Sequence, residues 1–246
     1  MISIILPLHN SESFIALTIS GILAQTHIDW ELFLVDDGST DASYDLARQY
    51  SAFDDRIQLI RLDRNFGAVI ARNRALEVCS GRYIAFCDSD DIWMPDKLEK
   101  QLQAIQSSSH GICCTAYERI DGDGRKLGNL VVPPAVTDYN RLLRSNCIGM
   151  STALIDTQVC GDVRLPDIKR RQDYALWLQL TRRGHTALGL EEPLVQYRVH
   201  PSSLSSNKLK SAYYHWKVLR DLEKLSLPST MRYFARYCYD ASRKRL

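Results

Sequence analysis

The sequence of 246 residues lacks any apolar run that approaches the roughly 18–20 residues needed to cross a bilayer. It also lacks internal repeats, low-complexity stretches, and the basic start and small-residue cleavage site of a signal peptide. Hydrophobic residues make up 45% of the chain and charged residues 24%, which excludes the disordered and fibrous classes. We therefore expect a soluble cytoplasmic protein with one large domain and a small appendage.

The sequence also lacks the cysteine spacing of a disulfide framework or a zinc site. Its seven cysteines are an odd number, and no two of them are spaced as Cys-x-x-Cys. Several stand in apolar, strand-like segments, as Cys87 does. Reduced and mostly buried thiols in a reducing compartment account for this pattern.

The net charge of +2 is distributed unevenly along the chain. Residues 207–246 hold ten lysines and arginines against three acidic residues, which is +7, so residues 1–206 carry −5. A basic tail indicates an anionic partner. Residues 232–239 mix aromatic and basic side chains at helical spacing, which suits peripheral contact with an anionic membrane; a helix packed on the domain is the alternative. No nucleic-acid-binding motif accompanies this charge, so nucleic acid is not expected as a partner.

Strand and helix patterns alternate in the first half of the chain. Apolar segments at 2–8, 31–35, 56–62 and 82–87 predict buried strands, and the segments at 11–24, 40–50 and 68–79 predict the helices between them. Ser11 and either Ser39 or Thr40 are the expected N-caps. This alternation predicts right-handed crossovers and a mostly parallel sheet.

The second half is less regular. Its patterns predict a helix after Pro95 to residue 105, a strand at 111–119 and a hairpin turn at 121–124. Further on they predict a helix at 171–183, a strand at 194–199, and two amphipathic helices at 204–225 and 229–243 separated by Pro228.

Acidic and small polar residues follow three of the predicted strands. These segments begin at His9, Asp36 and Asp88, and the carboxyl ends of parallel strands meet in one crevice. Asp88 and Asp90 form an Asp-x-Asp pair, which suits a hard divalent cation that also binds the phosphates of a substrate. Turn capping is the alternative explanation for both acidic segments.

These segments occur in the order found in glycosyltransferase family 2, which the sequence resembles. The resemblance covers residues 1–105 densely and resumes at 172–180 and 197–205. It implies the three-layer α/β GT-A fold with a mostly parallel central sheet, and transfer with inversion of anomeric configuration. The matching segments are Pro7-Leu8-His9-Asn10, Gln25-Thr26, 36–41, Asn65-Phe66-Gly67, Ala71-Arg72-Asn73, 81–86, Asp88-Ser89-Asp90-Asp91 and Pro95-Asp96-Lys97-Leu98.

The resemblance also implies where a UDP-sugar donor binds. Pro7 and His9 would line the nucleobase pocket, although the family more often has Tyr at the position of His9, and Asp37 with Asp36 would bind uracil. Asp88 would hold ribose or sugar hydroxyls, and Asp90 would bind Mn²⁺ or Mg²⁺ directly. The full set of implied nucleotide and donor contacts is Pro7, His9, Asn10, Asp36, Asp37, Arg72, Asp88, Ser89, Asp91, Trp93 and Arg198. Trp93 and Asp91 would flank the donor sugar, with core packing as the alternative for Trp93.

The catalytic base implied by the resemblance is Asp173. The family usually has a Glu-Asp pair at this helix start, and here the pair is Gln172-Asp173. A carboxylate in a first helical turn is favoured as the anion and can accept a proton. The segment from Tyr197 to residue 205 resembles the motif that closes over the donor phosphates, so His200 would complete the metal site or bind phosphate.

Together these patterns predict a GT-A domain at 1–203 and a basic amphipathic helical extension at 204–246. Residues 1–105 would form the nucleotide-binding half of the domain and 106–203 the acceptor and catalytic half. The expected reaction moves a hexose or N-acetylhexosamine from a UDP-sugar to a glycan or lipid-linked oligosaccharide in bacterial surface polysaccharide assembly. A non-catalytic nucleotide-sugar-binding module and a nucleotidyltransferase are the alternatives.

Overall fold

The computed structural model describes residues 1–200 and 208–243. Helices and strands alternate through most of this range. The strands are β1 (Ile2–Leu8), β2 (Trp30–Asp36), β3 (Ile57–Arg61), β4 (Tyr83–Phe86), β5 (Ile92–Trp93), β6 (Ile112–Ile120), β7 (Lys126–Val131), β8 (Val136–Thr137), β9 (Ala153–Asp156) and β10 (Ala187–Arg198). The helices are α1 (Ile15–Leu23), α2 (Ser43–Phe53), α3 (Ala68–Leu76), α4 (Lys97–Gln106), α5 (Tyr139–Arg144), α6 (Thr157–Cys160), α7 (Gln172–Arg182), α8 (Lys208–Lys217) and α9 (Leu227–Arg243).

The ten strands of the described residues belong to one mixed sheet, whose main order is β3-β2-β1-β4-β9-β6-β10-β5. β1 pairs in parallel with β2 and β4, β2 with β3, and β6 with β10. β9 is antiparallel to both of its neighbours, so β4 and β6 run in the same direction. Six strands, including the long β1, β2, β6 and β10, therefore share one direction, as the alternation of strands and helices predicted.

Two apolar clusters cover the two faces of the sheet. Adjacent residues of β1 face opposite ways, because side chains alternate along a strand. Ile4 and Leu6 pack with α1 and α4, whereas Ile5 packs with α3, α5 and α7. This helix–sheet–helix arrangement confirms the predicted three layers.

The predicted caps of the first two helices are wrong. α1 begins at Ile15 with Phe14 as its N-cap residue, because the carbonyl of Ser11 accepts hydrogen bonds from the N–H groups of Phe14 and Ile15 in a preceding turn. α2 begins at Ser43, with Ala42 as its N-cap residue. The polar residues before both helices instead connect the two loops to each other, and a single sequence pattern does not show such cross-loop bonds.

The C-terminal segment is helical within the described residues. α8 continues into a π-helical turn at Val218–Leu222, and α9 begins at Leu227 with Pro228 in its first turn, where the missing N–H of proline costs little. The side chains of Tyr233 and Phe234 pack against the core cluster that contains α7. The domain boundary predicted at 203/204 and residues 201–205 of the implied phosphate motif lie outside the described residues.

Candidate active site

Polar side chains at the ends of β1 and β2 are hydrogen-bonded to one another. Asn10 has a positive φ of 50°. Its Oδ1 accepts two hydrogen bonds from Thr40, one from the backbone N–H at 2.9 Å and one from the side-chain hydroxyl at 3.3 Å. The N–H of Asn10 donates to Oγ of Ser39 at 3.1 Å. His9 and Asn10 are exposed, whereas Pro7 is buried within β1. The ends of β1 and β2 therefore meet, as predicted for these two of the three strand ends.

The two aspartates after β2 are buried and bonded within the protein. The carboxylate of Asp37 accepts hydrogen bonds from the N–H groups of Phe66 and Gly67, both at 2.7 Å. Asp36 accepts one from Ser39 N–H at 3.3 Å. At Gly38, whose φ is +66°, a Cβ would lie 2.6 Å from the carbonyl carbon of Arg64, so only glycine fits there. These contacts fix the loop after β3, and the uracil-binding role of Asp36 and Asp37 stays a prediction.

Asp88 is linked through an arginine to the start of α7. One guanidinium nitrogen of Arg72, on α3, donates to Asp88 Oδ1, and another donates to Oε1 of Gln172 at 2.7 Å. The Arg72 side chain is 7% exposed and that of Asp88 is 32% exposed. Arg72 therefore holds Asp88 in place, and its approach to the donor stays a prediction.

Asp90 is paired with a histidine from the end of β10. His200 Nε2 lies 2.8 Å from Asp90 Oδ2, and the imidazole lies 5.0 Å from the ring of Phe14. Burial, and then the neighbouring charge of Asp88, raises the pKa of Asp90 above its usual value. A nearby cation would lower this pKa again, because it favours the ionised carboxylate.

The structure corrects the implied donor contacts of Asp91 and Arg198. Asp91 is 0% exposed, and its carboxylate accepts hydrogen bonds from Ser151 Oγ at 2.5 Å and from the N–H of Arg198 at 3.0 Å. Burial raises the pKa of this carboxyl well above its usual value. The guanidinium of Arg198, 2% exposed, donates to the carbonyls of Asp90, Asp121 and Gly122. Both side chains are thus buried in contacts that shape the loop carrying Asp90.

The proposed sugar contact of Trp93 is also wrong. Its side chain is 2% exposed and packs in the core cluster of α1 and α4. Lys97 of α4 is fully buried, and its Nζ lies 3.9 Å from the centroid of the Trp93 ring. Burial lowers the pKa of Lys97 to about 7. Trp93 therefore packs in the core, which was the alternative.

Asp173 lies in the first turn of α7 and is half-buried. Its Oδ2 accepts a hydrogen bond from Nδ2 of Asn146 at 2.7 Å. The segment that carries Asn146 is held against α7, because the indole N–H of Trp177 donates to the carbonyl of Ile148 at 3.0 Å. Sequence reasoning missed Asn146 and Ser151, since neither belongs to a motif and each reaches its aspartate only through the fold.

The donor atoms at the strand ends fit a divalent cation held in part by substrate. Carboxylate oxygens are hard ligands that suit Mg²⁺ or Mn²⁺. Within residues 1–200 and 208–243, however, no three His, Cys, Asp or Glu side chains form a group that could hold a metal. The predicted ligand set of Asp88, Asp90 and His200 is therefore not assembled as a cage. The side chain of Asp90 is 23% exposed and that of Asp88 is 32% exposed, and a metal role for either stays a prediction.

The half-buried Ser89 contributes its backbone to this loop. Its carbonyl accepts a hydrogen bond from the hydroxyl of Thr18 at 3.0 Å, which connects the Asp88–Asp90 loop to α1.

No helix in the part of the chain that the structure describes is both long enough and apolar enough to cross a membrane.

The three layers of helix, sheet and helix, with acidic side chains at the strand ends, form the GT-A glycosyltransferase fold. Residues 3–153 match the model of the family described as glycosyl transferase family 2. The chain is 41% identical over 246 residues to TuaG of Bacillus subtilis (strain 168), which is named as a teichuronic acid biosynthesis glycosyltransferase; this covers 100% of the chain and 98% of TuaG. The chain belongs to glycosyltransferase family 2 and is a glycosyltransferase.

Two further comparisons agree with this assignment. The chain is 37% identical over 222 residues to WfgD of Escherichia coli, named UDP-Glc:alpha-D-GlcNAc-diphosphoundecaprenol beta-1,3-glucosyltransferase; this covers 90% of the chain and 86% of WfgD. The structure of TarS 1-349 of S. aureus in complex with UDP-GlcNAc superposes with a TM-score of 0.75 at 19% identity, covering 96% of this chain and 71% of that one. The latter likeness shows the fold.

Proposed function

We propose that this glycosyltransferase moves a hexose or N-acetylhexosamine from a UDP-sugar to a lipid-linked glycan, with inversion at the anomeric carbon. The setting we propose is bacterial surface polysaccharide biosynthesis, in the cytoplasm at the inner face of the plasma membrane. The names of TuaG and WfgD support the setting and the lipid-linked acceptor. The UDP-GlcNAc bound to TarS supports the donor.

One chain of hydrogen bonds carries this proposal. It runs from Asp88, in the Asp-x-Asp segment, through Arg72 to Gln172, the residue before Asp173. The donor side and the start of the base helix are thus held together by a buried guanidinium. Reacting groups held in fixed relative positions avoid the entropy cost of bringing them together in each turnover.

Asp173 acts as the general base in the proposed reaction. Its carboxylate takes the proton of the acceptor hydroxyl while the hydroxyl oxygen bonds to the anomeric carbon. The bond from that carbon to the diphosphate oxygen breaks on the opposite side, and its electron pair leaves with UDP. Asn146 donates to one carboxylate oxygen of Asp173, which orients the other for the proton.

Asp90 would hold Mn²⁺ or Mg²⁺, with Asp88 and His200 beside it and the donor's phosphate oxygens completing the coordination. When bound, the cation would neutralise the charge that develops on the departing diphosphate. The contact of His200 with Asp90 supports a role for the imidazole beside the metal or a donor phosphate.

We also propose that residues 207–246 contact an anionic membrane, through their basic side chains and without Phe234 and Tyr237. Phe234 packs against the core, and Tyr237 stacks on His215 with centroids 4.1 Å apart. These aromatic side chains therefore face the protein, and contact with an anionic membrane would rest on the exposed basic side chains.

Release of UDP from a panel of UDP-sugars tests the proposed reaction. We expect turnover of one donor that requires Mn²⁺ or Mg²⁺ and is lost in EDTA. Asp90→Ala and Asp173→Asn should each lower the rate by roughly 10³-fold, because each removes a group that acts in the transition state. The matched control is Asp55→Asn, an exposed aspartate before β3 that should keep wild-type turnover.

Three outcomes would contradict the proposal. Release of pyrophosphate from UTP in the presence of a sugar 1-phosphate would identify a nucleotidyltransferase. No turnover of any UDP-sugar, with UDP binding unchanged in Asp90→Ala, would identify a binding module. Retention of the anomeric configuration in the product, measured by NMR, would exclude direct displacement.

A further inference from the structure

A groove of about 830 Å³ lies between α5 and α9, outside the strand-end site. Its wall on α5 carries Arg141 and Arg144, and its wall on α9 carries Arg232, Arg236 and Asp240. Four arginines against one aspartate give these lining side chains a net charge of +3. No feature of the proposed reaction accounts for this concentration of positive charge.

Only one of the four arginines is paired with a carboxylate among the residues that the structure describes. Nε of Arg236 lies 3.2 Å from Asp240 Oδ2, one helical turn further on. No ion pair joins Arg141, Arg144 or Arg232 to an acidic residue within 1–200 and 208–243. Three like charges in one concavity repel one another, so an anion that binds between them is stabilised.

Both walls of the groove are held in place by polar contacts. Asp138 is the N-cap residue of α5, and its carboxylate accepts a hydrogen bond from Arg141 N–H at 2.7 Å. The Tyr139 hydroxyl, in the first turn of α5, donates to Glu223 at 2.7 Å. On the other wall, a guanidinium nitrogen of Arg171 donates to the Tyr237 hydroxyl at 2.7 Å. The arginine side chains therefore project from two fixed backbones, which lowers the entropy cost of binding.

Both walls are also linked to the proposed base, each through an intermediate residue. Asn146, which donates a hydrogen bond to Asp173, comes two residues after Arg144 in the chain. The Cα atoms of Arg144 and Asn146 are therefore at most about 7 Å apart. Arg171, which holds Tyr237 of α9, stands two residues before Asp173 in sequence. The α5 wall thus lies close along the chain to a residue bonded to the proposed base, and the α9 wall is bonded to Arg171 beside that base in sequence.

We propose that this groove binds the diphosphate that joins the acceptor glycan to its lipid. This inference rests on the proposed function, in which the acceptor is lipid-linked. A diphosphate esterified at both ends carries two negative charges, which the lining charge of +3 attracts. Guanidinium groups donate paired, forked hydrogen bonds to phosphate oxygens, so arginine suits this role better than lysine. Diphosphate bound here would place the sugar that follows it toward Asp173.

Binding of farnesyl diphosphate to the full-length protein tests the groove. The titration is done in EDTA, because without a cation the donor site cannot hold a diphosphate through metal. We expect farnesyl diphosphate to bind at least tenfold more tightly than farnesol. Arg144→Gln/Arg232→Gln should weaken its binding by tenfold or more, since it removes one charged donor from each wall.

The matched control is Arg48→Gln/Arg125→Gln, which removes the same charge from two exposed arginines outside the groove. It should change the Kd by less than twofold. The thermal unfolding midpoint of each double variant shows that it is folded. If neither double variant, or both equally, weakened binding, the groove would be excluded as the site.

Two further arms separate the sources of phosphate. Inorganic pyrophosphate should compete with farnesyl diphosphate, whereas phosphatidylglycerol vesicles at equal phosphate should not. Stronger competition by the vesicles would overturn the proposal and identify a membrane surface instead. UDP binding by the wild type with Mn²⁺ is measured on the same preparation. Its absence would contradict the proposed function, while the farnesyl diphosphate titration would still decide the groove.

Discussion

The strand-end site and the groove between α5 and α9 use charged side chains in opposite ways. At the strand ends Asp37, Asp88 and Asp91 are each bonded to donors within the protein. In the groove Arg141, Arg144 and Arg232 have no carboxylate partner among the described residues. The bonds at the strand ends fix the positions of the aspartates. In the groove, the positive charges of the arginines are left available for a ligand. Charge alone therefore does not indicate whether a side chain builds a site or binds a substrate.

The largest expected effect comes from breaking the buried link at the strand ends. Arg72→Ala leaves Asp88 and Gln172 without their shared donor, so we expect a loss of about 2–3 kcal/mol of unfolding free energy. Turnover should fall by roughly 10²-fold, because Asp88 and the start of α7 lose their fixed relation. Chemical denaturation and UDP release measure the two effects.

Arg74→Ala on the same helix is the matched control. Arg74 is 54% exposed and its guanidinium lies 3.0 Å from Glu77, so its removal should cost about 0.5 kcal/mol and leave turnover intact. Equal effects of the two variants would show that Arg72 contributes only as part of α3.

A smaller effect is expected on the groove side, at a buried histidine beneath α9. His215 is 1% exposed and stacks between Tyr174 of α7, at 4.7 Å, and Tyr237 of α9, at 4.1 Å. Burial, with a contribution from Arg171, lowers the pKa of His215 to about 3. Below pH 6.5 the unfolded chain takes up a proton that the folded chain does not, so stability falls as pH falls toward 3.

His215→Phe should remove this acid sensitivity. Between pH 6.5 and 4.5 the variant should lose about 2 kcal/mol less unfolding free energy than the wild type. Denaturation at several pH values measures the difference. The same substitution at the half-buried His185 serves as the control; if it gave the same gain, the assignment to His215 would be wrong.

The smallest expected effect comes from removing the one carboxylate among the described residues that line the groove, which tests whether the net positive charge of the groove binds the ligand. Asp240→Asn releases Arg236 from its partner and raises the lining charge from +3 to +4. Stability should fall by about 0.3–0.5 kcal/mol, as for other exposed i,i+4 pairs. Farnesyl diphosphate should bind about two- to fivefold more tightly in the EDTA titration. Weaker binding would contradict the inferred polarity of the groove.

The first half of the fold could be predicted closely from the sequence. The four predicted strands agree with β1, β2, β3 and β4 to within one residue at each end, because buried parallel strands form continuous apolar runs. β10 was predicted only from residue 194, although it begins at Ala187. Two register shifts around Pro193 interrupt the pairing of β10 with β6, and the charged and proline residues there conceal the strand.

The candidate site could be predicted in its location but only partly in its individual roles. The motif order placed the Asp88–Asp90 segment and Asp173 in one protein region, and the structure links them through Arg72. Trp93, Asp91 and Arg198 were assigned to the donor because the resemblance carries positions and not side-chain directions. Their burial decides against those roles.

By itself the sequence determined the family, the positions of the first four strands and the presence of acidic residues after them, since local apolar periodicity and short motifs encode these. Only the tertiary structure decided which charged side chains are already bonded to one another. Partners such as Arg72 and Gln172 stand 100 residues apart, and such pairing arises when distant segments pack. The groove between α5 and α9 exists for the same reason, because its two walls come from opposite ends of the second half of the chain.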